Sequence, residues 1–270
     1  MRKLEEKYMN LQREVILTRY DKGQVSEVSD VVVCEYPFTI YINGEETVTL
    51  VCSPESLDYL TLGYLLSEGI INKKTDIESV DINEEKGAAY VRLSEDAGNS
   101  PYFKRGRRPT KGCSGGTIFY NIYDFVQSKI SDKKIQIHYK KILSLMEEFT
   151  TKSDTFRDTG GVHGAALSDG EKILIFNEDI GRHNAMDKVI GEAFAKDMVF
   201  EDKIILTSGR ISSEMLIKAA KRNVSVMVSR SAPMDLAIRI GEEINLTTVG
   251  FVRGERMNVY TGKDRILFGE

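Results

Sequence analysis

Residues 203–252, KIILTSGRISSEMLIKAAKRNVSVMVSRSAPMDLAIRIGEEINLTTVGFV, decide the fold. Short β-branched runs alternate here with amphipathic stretches. Segments 203–207, 224–228 and 246–252 read as strands, and 212–221 and 234–244 as helices. Alternation of this kind places parallel strands in one sheet with helices as right-handed crossovers. On the N-terminal side, 184–195 carries Ala185, Met186, Val189, Ile190, Ala193 and Phe194 as one apolar stripe at helical spacing. Before it, 164–167 and 173–176 form a hairpin across Asp169-Gly170. Segment 138–151 is a helix with Ile142, Leu145, Met146 and Phe149 on one face. On the C-terminal side, 257–260 adds a last strand. The expectation is an α/β domain over residues 111–270, with a smaller α+β domain over residues 1–110.

The smaller domain rests on turn chemistry. Asn43-Gly44 between 39–42 and 47–52 is the strongest short hairpin signal. Ser53-Pro54-Glu55 reads as a helix start, with Ser53 as N-cap, and Gly69 as its stop. Segments 78–82 and 88–93, joined through Gly87, read as a second hairpin. Residues 95–116 are rich in glycine, proline and basic residues without periodicity, which is the pattern of a surface connection.

Composition excludes several classes. Of the 270 residues 41% are hydrophobic and 29% charged, so the chain has the means to build a core. The formal charge of −4 argues against nucleic-acid coating. No apolar stretch has the length of a membrane span, and the charged start is unlike a signal peptide. Three cysteines at unrelated spacings do not make a disulfide framework, so a cytoplasmic, reducing setting is expected.

Ligands of open α/β sheets bind beyond the carboxyl ends of the strands. The junctions there read Glu178-Asp179-Ile180-Gly181-Arg182-His183-Asn184, then Thr207-Ser208-Gly209-Arg210, then Ser229-Arg230-Ser231, then Phe251-Val252-Arg253-Gly254-Glu255-Arg256. Each holds an arginine, and two add Ser and Gly beside free helix N–H groups. Such ends attract anions, and Arg grips phosphate through two parallel hydrogen bonds. Four together point to a large, phosphorylated ligand; any one alone reads as N-capping with a solvated Arg. His163, among glycines, and His183 sit in these loops and are candidate ligand contacts, whereas His138 is expected to be inert. Cys113 follows a run with five basic residues in eight, 104–111, and is flanked by Gly112 and Gly115. Positive surroundings stabilise a thiolate, so Cys113 is the candidate nucleophile. Cys34 and Cys52, in strands, are expected to be buried and dispensable.

The order of elements from residue 138 is similar to the cytidine deaminase fold, a three-layer α/β/α sandwich. Zinc deaminases need His-x-Glu at one helix start and Pro-Cys-x-x-Cys at the next. Here those positions read His183-Asn184-Ala185 and Ser208-Gly209-Arg210-Ile211-Ser212, so no zinc site is expected.

The blocks TGGVHGAAL (159–167), EDIGRHNAMDKVIG (178–191), LTSGRISSEM (206–215), SRSAPMDL (229–236) and GFVRGERMNVY (250–260) resemble the FdhD/NarQ family, with a weaker match over 43–71. The resemblance implies a deaminase-like fold without zinc and a cytoplasmic sulfur carrier, a sulfurtransferase that acts as a homodimer. It implies that a cysteine desulfurase loads a persulfide on the Cys matching Cys113. The sulfur would pass to the molybdenum (or tungsten) bis-molybdopterin guanine dinucleotide, bound as substrate by the segment matching 251–256, before that cofactor enters formate dehydrogenase. Many members carry Cys-x-x-Cys in the loop, whereas this chain has Cys113-Ser114-Gly115-Gly116, which leaves single-thiol carriage. The alternative is a cofactor chaperone without sulfur chemistry.

Overall fold

The structure, a computed structural model, describes residues 10–98 and 135–269. The expected boundary at 110/111, the basic run and Cys113 lie outside the described residues. The chain opens with a two-stranded ribbon, β1 (Gln12–Asp21) and β2 (Gln24–Val33), turned at Lys22-Gly23. The sequence reading left this ribbon unassigned. Its apolar residues alternate poorly, and Ile16, Tyr20 and Val25 stay exposed.

A four-stranded sheet follows, in the order β4 (Glu45–Cys52), β3 (Tyr36–Ile42), β6 (Ala88–Leu93), β5 (Ile77–Asn83). Asn43 and Gly44 both take positive φ, as the two-residue hairpin requires. Along β3 the buried Tyr36, Phe38, Ile40 and Ile42 alternate with outward residues, so one face packs on α1 (Leu57–Glu68). Gly69 closes that helix in the left-handed conformation, as read from sequence. Its start is a correction. The helix begins at Leu57, capped by Ser56 without a side-chain bond, and Ser53 is no N-cap. Ser53 is buried, and its N–H and Oγ both donate to Asp179, 126 residues away. A tertiary partner has overridden the local signal.

The six-stranded sheet has the order β13 (Arg256–Thr261), β12 (Thr247–Arg253), β11 (Val226–Ser229), β10 (Ile204–Thr207), β8 (His163–Ser168), β9 (Ile173–Asp179). Strands β10, β11 and β12 are parallel neighbours, as the alternation predicts; the β8–β9 and β12–β13 pairs are antiparallel. Strands β10 and β11 bury both faces. Ile205 and Met227 join one core with α4 (Arg182–Ala195), α5 (Ser213–Ala220) and α6 (Asp235–Glu243). Ile204, Leu206 and Val228 join a second with α2 (Tyr139–Thr151) on the opposite face. The sheet is thus the middle of three layers. A short helix, α3 (Asp154–Thr159), capped by Ser153, precedes β8. Two-residue strands β7 (Ile137–His138) and β14 (Ile266–Leu267) pair in parallel beside α2.

The first core is continuous with the four-stranded sheet, because α1 lies directly on α4. Glycines permit the approach. A Cβ on Gly63 would fall 1.8 Å from the Asp187 carbonyl oxygen, and one on Gly191 would fall 1.9 Å from that of Tyr59. Two buried ion pairs flank this crossing: Lys188–Asp179 at 2.7 Å and Lys218–Asp187 at 2.6 Å.

Candidate functional site

The carboxyl ends of β9 to β12 lie side by side, together with the start of the antiparallel β8. Here His163 stands next to the β10–α5 junction. Ser208 Oγ accepts the Gly164 N–H at 3.1 Å and lies 3.2 Å from His163 Nδ1. Gly209 is buried where a Cβ would be 3.0 Å from Arg182 Cβ and 3.5 Å from His163 Nδ1, so its bare backbone makes room for the Arg182 side chain. Burial, and then the Arg182 charge, holds the His163 imidazole below its ordinary value. His163 is therefore neutral near pH 7, able to donate at one nitrogen and accept at the other. His183 Nε2 sits 3.1 Å from Glu214 and 3.4 Å from Ser212 Oγ, the cap of α5.

A hydrogen-bonded thread runs onward across the strand ends. Ser229 Oγ donates to the Gly209 carbonyl at 2.6 Å and accepts from the Ser231 N–H, so this hydroxyl is engaged within the fold. Arg230 N–H bonds the Thr207 carbonyl, and the Arg253 Nε–H bonds the Arg230 carbonyl at 3.1 Å. Between Gly250 and Arg253 the β12–β13 register shifts; Phe251 takes positive φ there, and Val252 turns inward. Gly254, also at positive φ, makes the turn that presents Glu255 and Arg256. Arg210, Arg230, Arg253 and Arg256 are exposed and have no ion pair among the described residues. A groove of about 590 Å³ lies between this turn and α2, with Arg230, Val252, Arg253, Gly254 and Glu255 on one side.

The structure thus gathers most of the expected residues into two neighbouring groups, with Ser229, Phe251 and Arg256 on the strand ends beside them and Cys113 outside the described residues. His163, His183, Ser208, Gly209 and Arg210 cluster at the β8–β10 ends; Arg230 and 252–255 border the groove. Sequence reading counted Arg182 as the arginine of its junction but did not single it out as a site residue. Its Nε is buried without a hydrogen-bond partner among the described residues, a costly state for a guanidinium unless something anionic or polar meets it. The signal that finds Arg182 is spatial: Gly209 of the next junction vacates the space it fills. Asp179, in the same junction, is a structural hub. Beyond Ser53 and Lys188 it accepts from the Gly181 N–H and from Asn184, each at 2.9 Å.

Cys34 and Cys52 are buried free thiols. Burial and the Asp179 charge push Cys52 up to about 12, which keeps it protonated and poorly nucleophilic. Among the described residues no three His, Cys, Asp or Glu side chains come together as metal ligands, and no helix is long and apolar enough to cross a membrane.

A family model described as the FdhD/NarQ family matches residues 33–267. The chain belongs to the FdhD/NarQ family. Curated FdhD relatives cover nearly all of it. A Bacillus subtilis protein named sulfur carrier protein FdhD is 46% identical over 251 residues, 92% of this chain and 95% of its own. Its namesake in Bacillus pumilus is 44% identical over 260 residues, 95% and 98% of the two chains. The solved structure of a formate dehydrogenase accessory protein from Desulfotalea psychrophila superposes with a TM-score of 0.78. It is 23% identical and covers 96% of this chain and all of its own, a likeness of fold. The FdhD/NarQ blocks at 159–167, 178–191, 206–215 and 250–260 supply the strand ends on which the candidate site is built.

Proposed function

We propose that this chain is a sulfur carrier for the maturation of formate dehydrogenase. Cys113 takes sulfane sulfur from the persulfide of a cysteine desulfurase. Its thiolate attacks the terminal sulfur, the desulfurase thiolate leaves, and one S–S bond replaces another without net oxidation. The sulfur then passes to the molybdenum (or tungsten) bis-molybdopterin guanine dinucleotide, held as substrate at the strand ends: the S–S bond breaks, the Cys113 thiolate leaves, and the reduced metal of the substrate gives the two electrons that bring the sulfur to sulfide.

One observation carries the reading: a family whose named relatives are sulfur carriers has, in this chain, a row of arginines at one end of the sheet without an ion pair among the described residues. Arg182, Arg210, Arg230, Arg253 and Arg256 offer charge and paired N–H donors to phosphates, while neutral His163 adds a donor and an acceptor. These groups suit a polyanion with several phosphates. The layer order also supports a deaminase-like ancestry for the fold, and the proposed setting is a homodimer in the cytoplasm.

The test is mass spectrometry after incubation with a desulfurase and cysteine. A gain of about 32 Da on Cys113 is expected, as for other persulfidated thiols. Cys113→Ala should then fail to restore formate dehydrogenase in a strain lacking the carrier. Restoration by that variant would leave only the cofactor chaperone.

A further inference from the structure

The four-stranded sheet packs one face on α1, and Val51 and Tyr90 are exposed on the other. A sheet face left in water is normally polar. Here the strand register sets Glu46 opposite Tyr41, Tyr41 opposite Tyr90, and Tyr90 opposite Asp81. Opposite residues share a face, so one row of side chains crosses all four strands. The Tyr41 and Tyr90 rings stack with centroids 5.2 Å apart and 18° between their planes. Each ring therefore has one face covered by its neighbour and one turned outward, Tyr41 towards β4 and Glu46, Tyr90 towards β5 and Asp81.

These groups are unused by the fold. Among the described residues neither tyrosine hydroxyl has a hydrogen-bond partner, and neither Glu46 nor Asp81 has a cation. A cleft of about 580 Å³ opens between Tyr90, Asp81, Arg92 and the Asn43-Gly44 turn. Arg92, the cation on its border, pairs with no carboxylate among the described residues. The π face of a tyrosine attracts a cation, and a carboxylate beside it adds to the attraction. The row thus ends on both sides in a seat for a guanidinium or ammonium group. The surrounding charge agrees, since residues 36–98 hold twelve acidic side chains and four basic ones. A small molecule on this open face would be covered on one side only, whereas small-molecule sites bury most of their ligand. A side chain presented by another protein needs no such enclosure, and tyrosine and arginine are the types that anchor protein contacts.

We propose that this face docks a partner protein through a basic segment, with one cationic side chain set between the Tyr90 ring and Asp81 and a second between the Tyr41 ring and Glu46. Arg92 is left to grip a carbonyl or carboxylate oxygen of the same segment, which fixes its direction along the cleft. The face is turned away from α1 and from the six-stranded sheet beyond it, so the contact is separate from the strand-end site and independent of the carrier reading.

The test uses the full chain labelled with ring-13C tyrosine. It is titrated with the peptide acetyl-Gly-Arg-Gly-Gly-Arg-Gly amide, whose two arginines can span the roughly 10 Å of two strand spacings. The control is the same peptide with citrulline, the neutral isostere, in place of arginine. The Tyr41 and Tyr90 ring signals should move with the arginine peptide and stay with the citrulline one. Tyr90→Leu and Asp81→Asn should each weaken binding about two- to fivefold, the scale of one exposed cation–π contact or ion pair. Glu85→Gln removes the same charge at the turn of the β5–β6 hairpin, away from the row, and should change binding less than about twofold. If Tyr90→Leu lowers the melting temperature, the exposed Asp81→Asn carries the comparison. Equal binding of the two peptides, or undiminished binding of the arginine peptide by both row variants, would overturn the proposal. So would ring signals that move with protein concentration alone, since a second copy of the chain would then cover the face.

Discussion

The α1–α4 crossing and the strand-end rim are both rich in charge, yet they treat charge in opposite ways. At the crossing the two buried ion pairs are fully partnered. Lys188 Nζ meets Asp179, Ser53 and the Glu178 carbonyl, and Asp187 meets Lys218 and Ser67. At the rim, a short distance along the same helix α4, Arg182 Nε is buried with no partner among the described residues, and four further arginines have no ion pair among them. Buried charges persist when paired and hydrogen-bonded. The crossing is therefore complete as it stands, and the rim is completed by something else. Between these two regions, paired charge goes with structure and unpaired charge with the candidate site.

The largest expected effect is at the crossing. Gly63→Ala puts a methyl group 1.8 Å from a backbone oxygen that has no room to retreat. The variant should lose more than about 4 kcal/mol, the range of severe core disruption, and be recovered mostly as insoluble protein. Next, Lys188→Met leaves Asp179 as a buried anion facing neutral donors only. A loss of about 3–5 kcal/mol in urea denaturation is expected, partly restored when Asp179→Asn is added. Arg182→Met inverts the pattern. Stability should stay within about 1 kcal/mol, while GDP affinity falls about tenfold. A stability loss as large as that of Lys188→Met would mean that the rim is structural too, and would end the contrast.

The smallest effect concerns pH. His163 is held below its ordinary 6.5 by burial and by Arg182, with His183 adding to the shift and Asp179 opposing it. Its contribution to stability is therefore whole above 6.5 and declines as pH falls towards the lower folded value, because there the unfolded chain takes up a proton that the folded chain refuses. Between about pH 7.5 and about pH 5.5, wild type should lose more stability than His163→Gln. Equal losses would show that the imidazole titrates as freely as in the unfolded chain.

What could be read from the sequence was what local physics decides. Asn43-Gly44 made its turn, Gly69 ended its helix, and Ile142, Leu145, Met146 and Phe149 faced inward, because periodicity and φ preference act over a few residues. Parallel order in β10 to β12 followed from alternation alone. Ser53 shows the limit, since its cap signal was outbid by Asp179 across the fold. The β1–β2 ribbon escaped notice because it has no consistently buried face to impose a period. At the site, the exposed arginines were legible as types in junctions. The role of Arg182 was not, because it depends on the missing Cβ of Gly209. Nor was the α2 wall of the groove, which no motif joins to the β12–β13 turn.

The parallel pairing of Ile266–Leu267 with Ile137–His138 carries a consequence for the order of folding. His138 caps α2 through Nδ1, and its Nε2–H donates to the Gly269 carbonyl at 2.6 Å, so the first turn of α2 is clamped by a segment 131 residues further along. Contacts so distant along the chain form late. The sheet can assemble its parallel strands while α2, one wall of the groove, still lacks its clamp. The arginines of the rim are then in place before the groove is secured, so ligand capture waits on the last long-range contact to close.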